Sequence, residues 1–106
     1  MPVYLIIEIA VKDRELYEEY VAKVPTIIEG YGGMYLARGG RVTPLMDGWS
    51  PERIILIKFE SIEKVRSCFQ SKEYLEIAPL REQSTTARSI IIEGYPPDDI
   101  SGRSSK

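Results

Sequence analysis

Val3-Tyr4-Leu5-Ile6-Ile7-Glu8-Ile9-Ala10-Val11 is the stretch on which the fold turns. β-Branched residues dominate it, and its odd positions, Val3, Leu5, Ile7, Ile9 and Val11, are uniformly apolar. That is the period of a strand with one fully buried face. Its even face is mixed. Directly downstream, Asp13 stands where a helix N-cap belongs, with Glu15 in the first turn. Leu16, Tyr17, Tyr20, Val21, Val24, Ile27, Ile28 and Tyr31 then follow at helical spacing. Pro25 falls inside this pattern and removes the hydrogen bond to the Val21 carbonyl, so a kink or a break is expected there. Gly32-Gly33 supplies the C-terminal stop.

Working outward, Met34 to Arg38 reads as a second strand and Arg53 to Phe59 as a third. Gly39, Gly40, Pro44, Gly48 and Pro51 make the segment between them a long hairpin loop. Ser61 can cap a second helix with the apolar stripe Ile62, Val65 and Phe69. Ser71 can cap a third, short one carrying Tyr74, Leu75, Ile77 and Ala78, with Pro79 obscuring its end. Ala87 to Glu93, centred on Ile90-Ile91-Ile92, is a last strand. The sequence thus divides into a single domain over residues 1–95 and a flexible tail over 96–106, which has little apolar mass to fold.

Strand, helix, strand, strand, helix, strand is the split βαβ order of an α+β, ferredoxin-like fold. It implies a four-stranded antiparallel sheet with its helices on one face. Three of the strands, however, are apolar on both sides. A monomer would leave the second side wet, at roughly 25 cal/mol per Å² of apolar surface. A second copy packed on that side is the ordinary remedy, so a homodimer is expected, with Ile6, Ile54, Leu56 and Ile91 in its interface.

Composition closes several function classes. The 106 residues contain 14 basic and 16 acidic side chains, a net charge of -2, which gives no attraction to phosphate backbones or anionic lipids. Nucleic acid and membrane are therefore not expected partners. There is no histidine and one cysteine, Cys68, which removes Ser-His-Asp and Cys-His catalysis, the usual metal-ligand sets and any intramolecular disulfide. No metal and no cofactor are expected. The N-terminus lacks the pattern of a signal peptide and the apolar runs are far short of the roughly 20 residues of a membrane helix, so the expected compartment is the cytoplasm.

Several stretches together resemble the family known as domain of unknown function 1330, within the dimeric α+β barrel superfamily. They are Glu19-Tyr20 with Val24-Pro25, the run from Tyr31 to Gly40, Gly48-Trp49 with Pro51 and Arg53, Ser71 with Glu73-Tyr74, Leu80-Arg81, and Glu93-Gly94. The resemblance spans residues 3 to 94. It departs at Asp47-Gly48-Trp49-Ser50, which lacks the second acid of the family's usual acidic-Gly-acidic-Trp run. The resemblance implies the fold and a dimer, and no settled activity comes with it.

What remains for chemistry is Arg, Lys, Tyr and carboxylate. Glu8, Lys58 and Glu93 sit in or near the ends of apolar strands, either as the polar floor of a cavity with retuned proton affinity or as a structural ion pair. Arg38 ends the second strand and Arg53 opens the third, so the hairpin can bring both guanidiniums to one mouth. With Tyr35 and Trp49 nearby they suit a small carboxylated or aromatic ligand. The structural alternative pairs Arg53 with Glu52 or Asp47. Arg81 can reach the same cavity, while Tyr74 is read as packing with its hydroxyl at the rim. Tyr17, Tyr20 and Tyr31 are read as core or interface, and Cys68 as a small buried hydrophobe. The candidate ligand-binding residues are therefore Tyr35, Arg38, Trp49, Arg53, Arg81 and Glu93. Two readings follow: a small-molecule binding protein or cofactor-free enzyme, and a non-catalytic dimeric interaction module.

Overall fold

The computed structural model of the chain describes residues 1–95; the expected tail at 96–106 lies outside them. The elements are β1 (Val3–Val11), α1 (Arg14–Gly30), β2 (Met34–Arg38), β3 (Arg53–Phe59), α2 (Ile62–Phe69), α3 (Lys72–Ser84) and β4 (Thr85–Glu93). All strand pairings are antiparallel in a single sheet of order β2-β3-β1-β4. The α+β, ferredoxin-like arrangement is thus present, its second crossover made of two helices in series.

Each helix starts where a side chain satisfies an otherwise orphaned backbone N–H. Asp13 accepts from Leu16, Ser61 from Lys64 and Ser71 from Tyr74. α1 runs through Pro25 without a break. One lost hydrogen bond is outweighed there by Val24 and Ile28, both buried, which anchor the turns on either side. α3 likewise passes Pro79 and continues to Ser84, so β4 begins at Thr85, two residues before the expected Ala87. The Thr85 hydroxyl closes that junction by donating to the Arg81 carbonyl at 2.7 Å.

The core lies on one face of the sheet. Val3, Leu5 and Ile9 of β1 and Ile55, Ile57 and Phe59 of β3 meet Tyr17, Tyr20, Val24 and Ile28 of α1, Val65 and Cys68 of α2, and Tyr74, Ile77 and Ala78 of α3. Among the described residues no helix lies over the other face. Register places Ile6 beside Leu56 and Ile90, Tyr4 beside Lys58 and Ile92, and Glu8 beside Ile54 and Arg88. Ile91 pairs with Leu5 and so points to the helical side; on the open face the β4 residues are Ile90 and Ile92. The expected placement of Ile91 was out of phase by one residue, an error that a period of two makes easy in an Ile-Ile-Ile run.

Candidate functional site

Between the helical face of the sheet and helices α1 and α3 lies a cavity of about 640 Å³. Its walls are apolar: Leu5, Ile7, Ile9, Ile55 and Ile57 from the sheet, Val24, Ile28, Val65, Phe69 and Ala78 from the helices. Leu75 and Ile91, both exposed, mark its open side between α3 and the edge strand β4. Into these walls converge the polar ends of a few residues, chief among them Tyr20, Tyr35, Tyr74 and Arg81. A mostly apolar concavity with few convergent polar groups is the usual form of a small-molecule site.

Three of these residues form one cluster. The Tyr20 and Tyr74 hydroxyls are 2.9 Å apart and buried, and the Arg81 Nε–H donates to the Tyr74 oxygen at 3.3 Å. Tyr20 comes from the middle of α1. Tyr74 and Arg81 are seven residues apart on α3, two turns along one face, so one helix aligns both. The rings support the geometry: Tyr20 meets Tyr74 edge-on at 6.3 Å, and Phe69 meets Tyr74 at 4.7 Å. Burial, followed by the neighbouring Tyr74, pushes the Tyr20 phenol far above its ordinary range, so it keeps its proton. Burial likewise pushes Tyr35 up to about 12. Cys68 has no exposed surface, and burial with Glu73 nearby raises its thiol to about 11, which leaves it without thiolate character. Among the described residues no group of three or more acidic or thiol side chains is placed to hold a metal ion. None of the helices among them is long and apolar enough to cross a membrane.

The family model for a domain of unknown function, DUF1330, matches residues 2–95. The chain belongs to the DUF1330 family. Solved structures give the same fold for this DUF1330 domain. A protein of unknown function from Rhodopseudomonas palustris superimposes with a TM-score of 0.77 at 15% identity, covering 91% of this chain and 84% of that one. SnoaB, a cofactor-independent oxygenase from Streptomyces nogalater, gives 0.65 at 10% identity, covering 90% and 94%. A dimeric protein of unknown function with a ferredoxin-like fold from Bacteroides fragilis gives 0.56 at 11%, covering 88% and 96%. No curated protein matches the sequence.

Within this DUF1330 domain the sequence candidates separate into groups. Tyr35 and Arg81 line the cavity. Arg38 lies over the Tyr35 ring at 4.9 Å with its side chain exposed. Arg53 shares that end of the sheet, its guanidinium nitrogens 3.7 Å from where a Gly39 side chain would begin. Its Nε–H donates to the Tyr17 hydroxyl at 2.9 Å and its cation lies 5.5 Å from the same ring. The carboxylate offered to it by sequence, Glu52, accepts from the Val11 N–H instead. Trp49, 61% exposed in the hairpin loop, lines neither the cavity nor the Arg53 contact. Glu93 is exposed at the opposite end of the sheet: it pairs with Val3, whereas Arg53 pairs with Ile9, six residues or about 20 Å along β1.

Glu8, Lys58 and Glu93 are likewise not one group. Glu8 accepts from Arg88, its direct cross-strand neighbour, at 2.9 Å, while Lys58 stands beside Tyr4 and Met34. Glu93 is on the other side of the sheet, in register with Val3. Tyr20 and Tyr74 are the cavity residues that sequence reasoning assigned to packing. The available signal was chemical: a phenol in a buried stripe needs a partner for its hydroxyl, and Tyr74 and Arg81 share a helix face.

Proposed function

We propose that this chain binds a small, mostly apolar molecule in the cavity between sheet and helices, with the polar group of the ligand turned to the Tyr20–Tyr74–Arg81 cluster, and that it does so as a homodimer. The observation that carries the reading is the hydrogen-bonded convergence of one charged and two phenolic groups on a mostly apolar cavity large enough for a ring system. Polar groups gathered in apolar surroundings are the usual means by which such a cavity orients a ligand. The dimer takes support from the open sheet face, where Ile6, Ile54 and Leu56 lie with the exposed Met34, Ile90 and Ile92. A shared fold with a cofactor-independent oxygenase makes cofactor-free chemistry one use of such a cavity.

Thermal-shift titration with phenol, benzoate and 2-naphthol tests the binding reading, because a ligand of the folded state raises the melting temperature by mass action. At least one probe is expected to raise it in the wild-type chain and less in Arg81→Gln. No shift with any of them favours the interaction module, for which the exposed Leu45, Met46 and Trp49 of the hairpin loop supply a surface.

A further inference from the structure

The hydrogen bonds of the cluster can be counted. Tyr20 and Tyr74 bring two hydroxyl protons, and one of them lies in the bond between their oxygens. The Arg81 Nε–H donates to the Tyr74 oxygen, so Arg81 supplies a proton and takes none. One phenolic proton is left over, whichever way the Tyr–Tyr bond runs. Among the described residues it has no further side-chain acceptor, although the two residues are only 6% and 5% exposed and both line the cavity. A buried O–H without an acceptor is rare and unfavourable. What enters the cavity must bring the acceptor.

We infer that the ligand is a conjugated anion carrying its charge on one oxygen, a phenolate or an enolate, held by the leftover proton of the Tyr20–Tyr74 pair. The inference rests on the cavity being the ligand site, and it adds the chemical class. The Arg81 cation polarises the Tyr74 hydroxyl by donating to its oxygen, which strengthens what the pair can donate onward. A single remaining donor suits a single oxygen. A carboxylate needs partners for two; the Nε of Arg81 is already donated to Tyr74, which removes the side-on fork and leaves the terminal nitrogens, one of them 3.9 Å from Glu82. Most of the remaining lining is apolar, so a second carboxylate oxygen loses more hydration on entry than a single conjugated one. Conjugation follows from the same walls: an anion whose charge spreads into a flat apolar body loses less hydration on entry. Burial raises the Tyr20 phenol further above its ordinary value, which opposes loss of its proton to the ligand.

The test uses 4-nitrophenol, whose phenolate is coloured, beside 4-nitroanisole, which cannot ionise, and 4-nitrobenzoate. Absorbance titrations are made across pH with the full chain. The expected result is that bound 4-nitrophenol ionises at least one pH unit lower than the free probe and binds at least tenfold more tightly than either comparison compound. Counting protons sets the variants. Tyr20→Phe frees the Tyr74 proton and keeps much of the shift, whereas Tyr20→Phe with Tyr74→Phe removes the last donor and loses it, while 4-nitroanisole still binds. Should the double variant fail to fold, Arg81→Gln serves, with the shift reduced at unchanged 4-nitroanisole affinity. Bound 4-nitrophenol in its colourless form, or equal affinity for 4-nitroanisole, or tighter binding of 4-nitrobenzoate, would overturn the oxyanion assignment and leave the pocket. If none of the compounds binds, the pocket reading falls and this inference falls with it.

Discussion

Arg53 is held by a single phenol. Its Nε–H bond to Tyr17 and its place against that ring tie the start of β3 to the first turns of α1, where Tyr17 also stacks on Tyr20 at 6.1 Å. Lysine at this position keeps the charge and loses the planar fork, so Arg53→Lys is expected to lower stability by about 1 kcal/mol, read as a shifted urea midpoint. Probe binding in the cavity should not change. A weakened probe affinity at an unshifted midpoint would return Arg53 to the ligand. The phenols also set an alkaline limit. Burial raises Tyr35 from 10.0 to about 12, and burial raises Tyr20 as well. The unfolded chain ionises these groups at the ordinary value and the folded chain only above it. Their contribution is therefore complete below pH 10 and declines as the pH climbs from 10 toward 12. Denaturant midpoints taken across that window should fall, and Tyr20→Phe should make the fall shallower. Sequence reasoning reached Arg81 and Tyr35 because charge and ring size are visible in a string of letters. It passed over Tyr20 because a stripe of apolar and aromatic residues predicts burial and says nothing about where a buried hydroxyl finds its partner.

At the scale of elements, the turn from α1 into β2 is fixed by close packing. A side chain on Gly33 would begin 2.6 Å from Ile28 Cγ2 and 2.9 Å from Phe59 Cζ, both in the centre of the core. Gly33→Ala is expected to cost on the order of 1–3 kcal/mol through overpacking, with a matching loss of melting temperature. An unchanged melting temperature would mean that α1 can slide away from β3. The strands and caps were legible because each depends on local pattern: alternation in β1, Asp13 and two serines before apolar stripes, glycines after α1. The errors came where local signals compete with packing. Pro25 and Pro79 announce breaks, yet buried neighbours carry both helices through them. Ile90-Ile91-Ile92 is apolar on both faces and carries no phase of its own. Only the pairing of Leu5 with Ile91 decides which side each residue takes.

For the whole molecule, one sheet serves two purposes: its helical face walls a cavity, and its open face presents Ile6, Ile54 and Leu56, the surface that the proposed dimer would cover. Leu56 stands between Ile6 and Ala37 on that face. Leu56→Glu would place a charge within the proposed interface, and light scattering should report a dimer for the wild-type chain and a monomer for the variant. A wild-type monomer that binds no hydrophobic dye would remove the reason for the partner. A ligand has two places to go: the hairpin end with Arg38, Trp49 and Arg53, to which the sequence pointed, and the cavity with Tyr20, Tyr74 and Arg81. Backbone amide chemical-shift mapping during titration with 4-nitrophenol separates them directly. Saturable shifts are expected at Tyr20, Val24, Tyr74, Ala78 and Arg81, with the loop around Trp49 unmoved. Shifts confined to Arg38, Trp49 and Arg53, with the α1 and α3 residues silent, would contradict it.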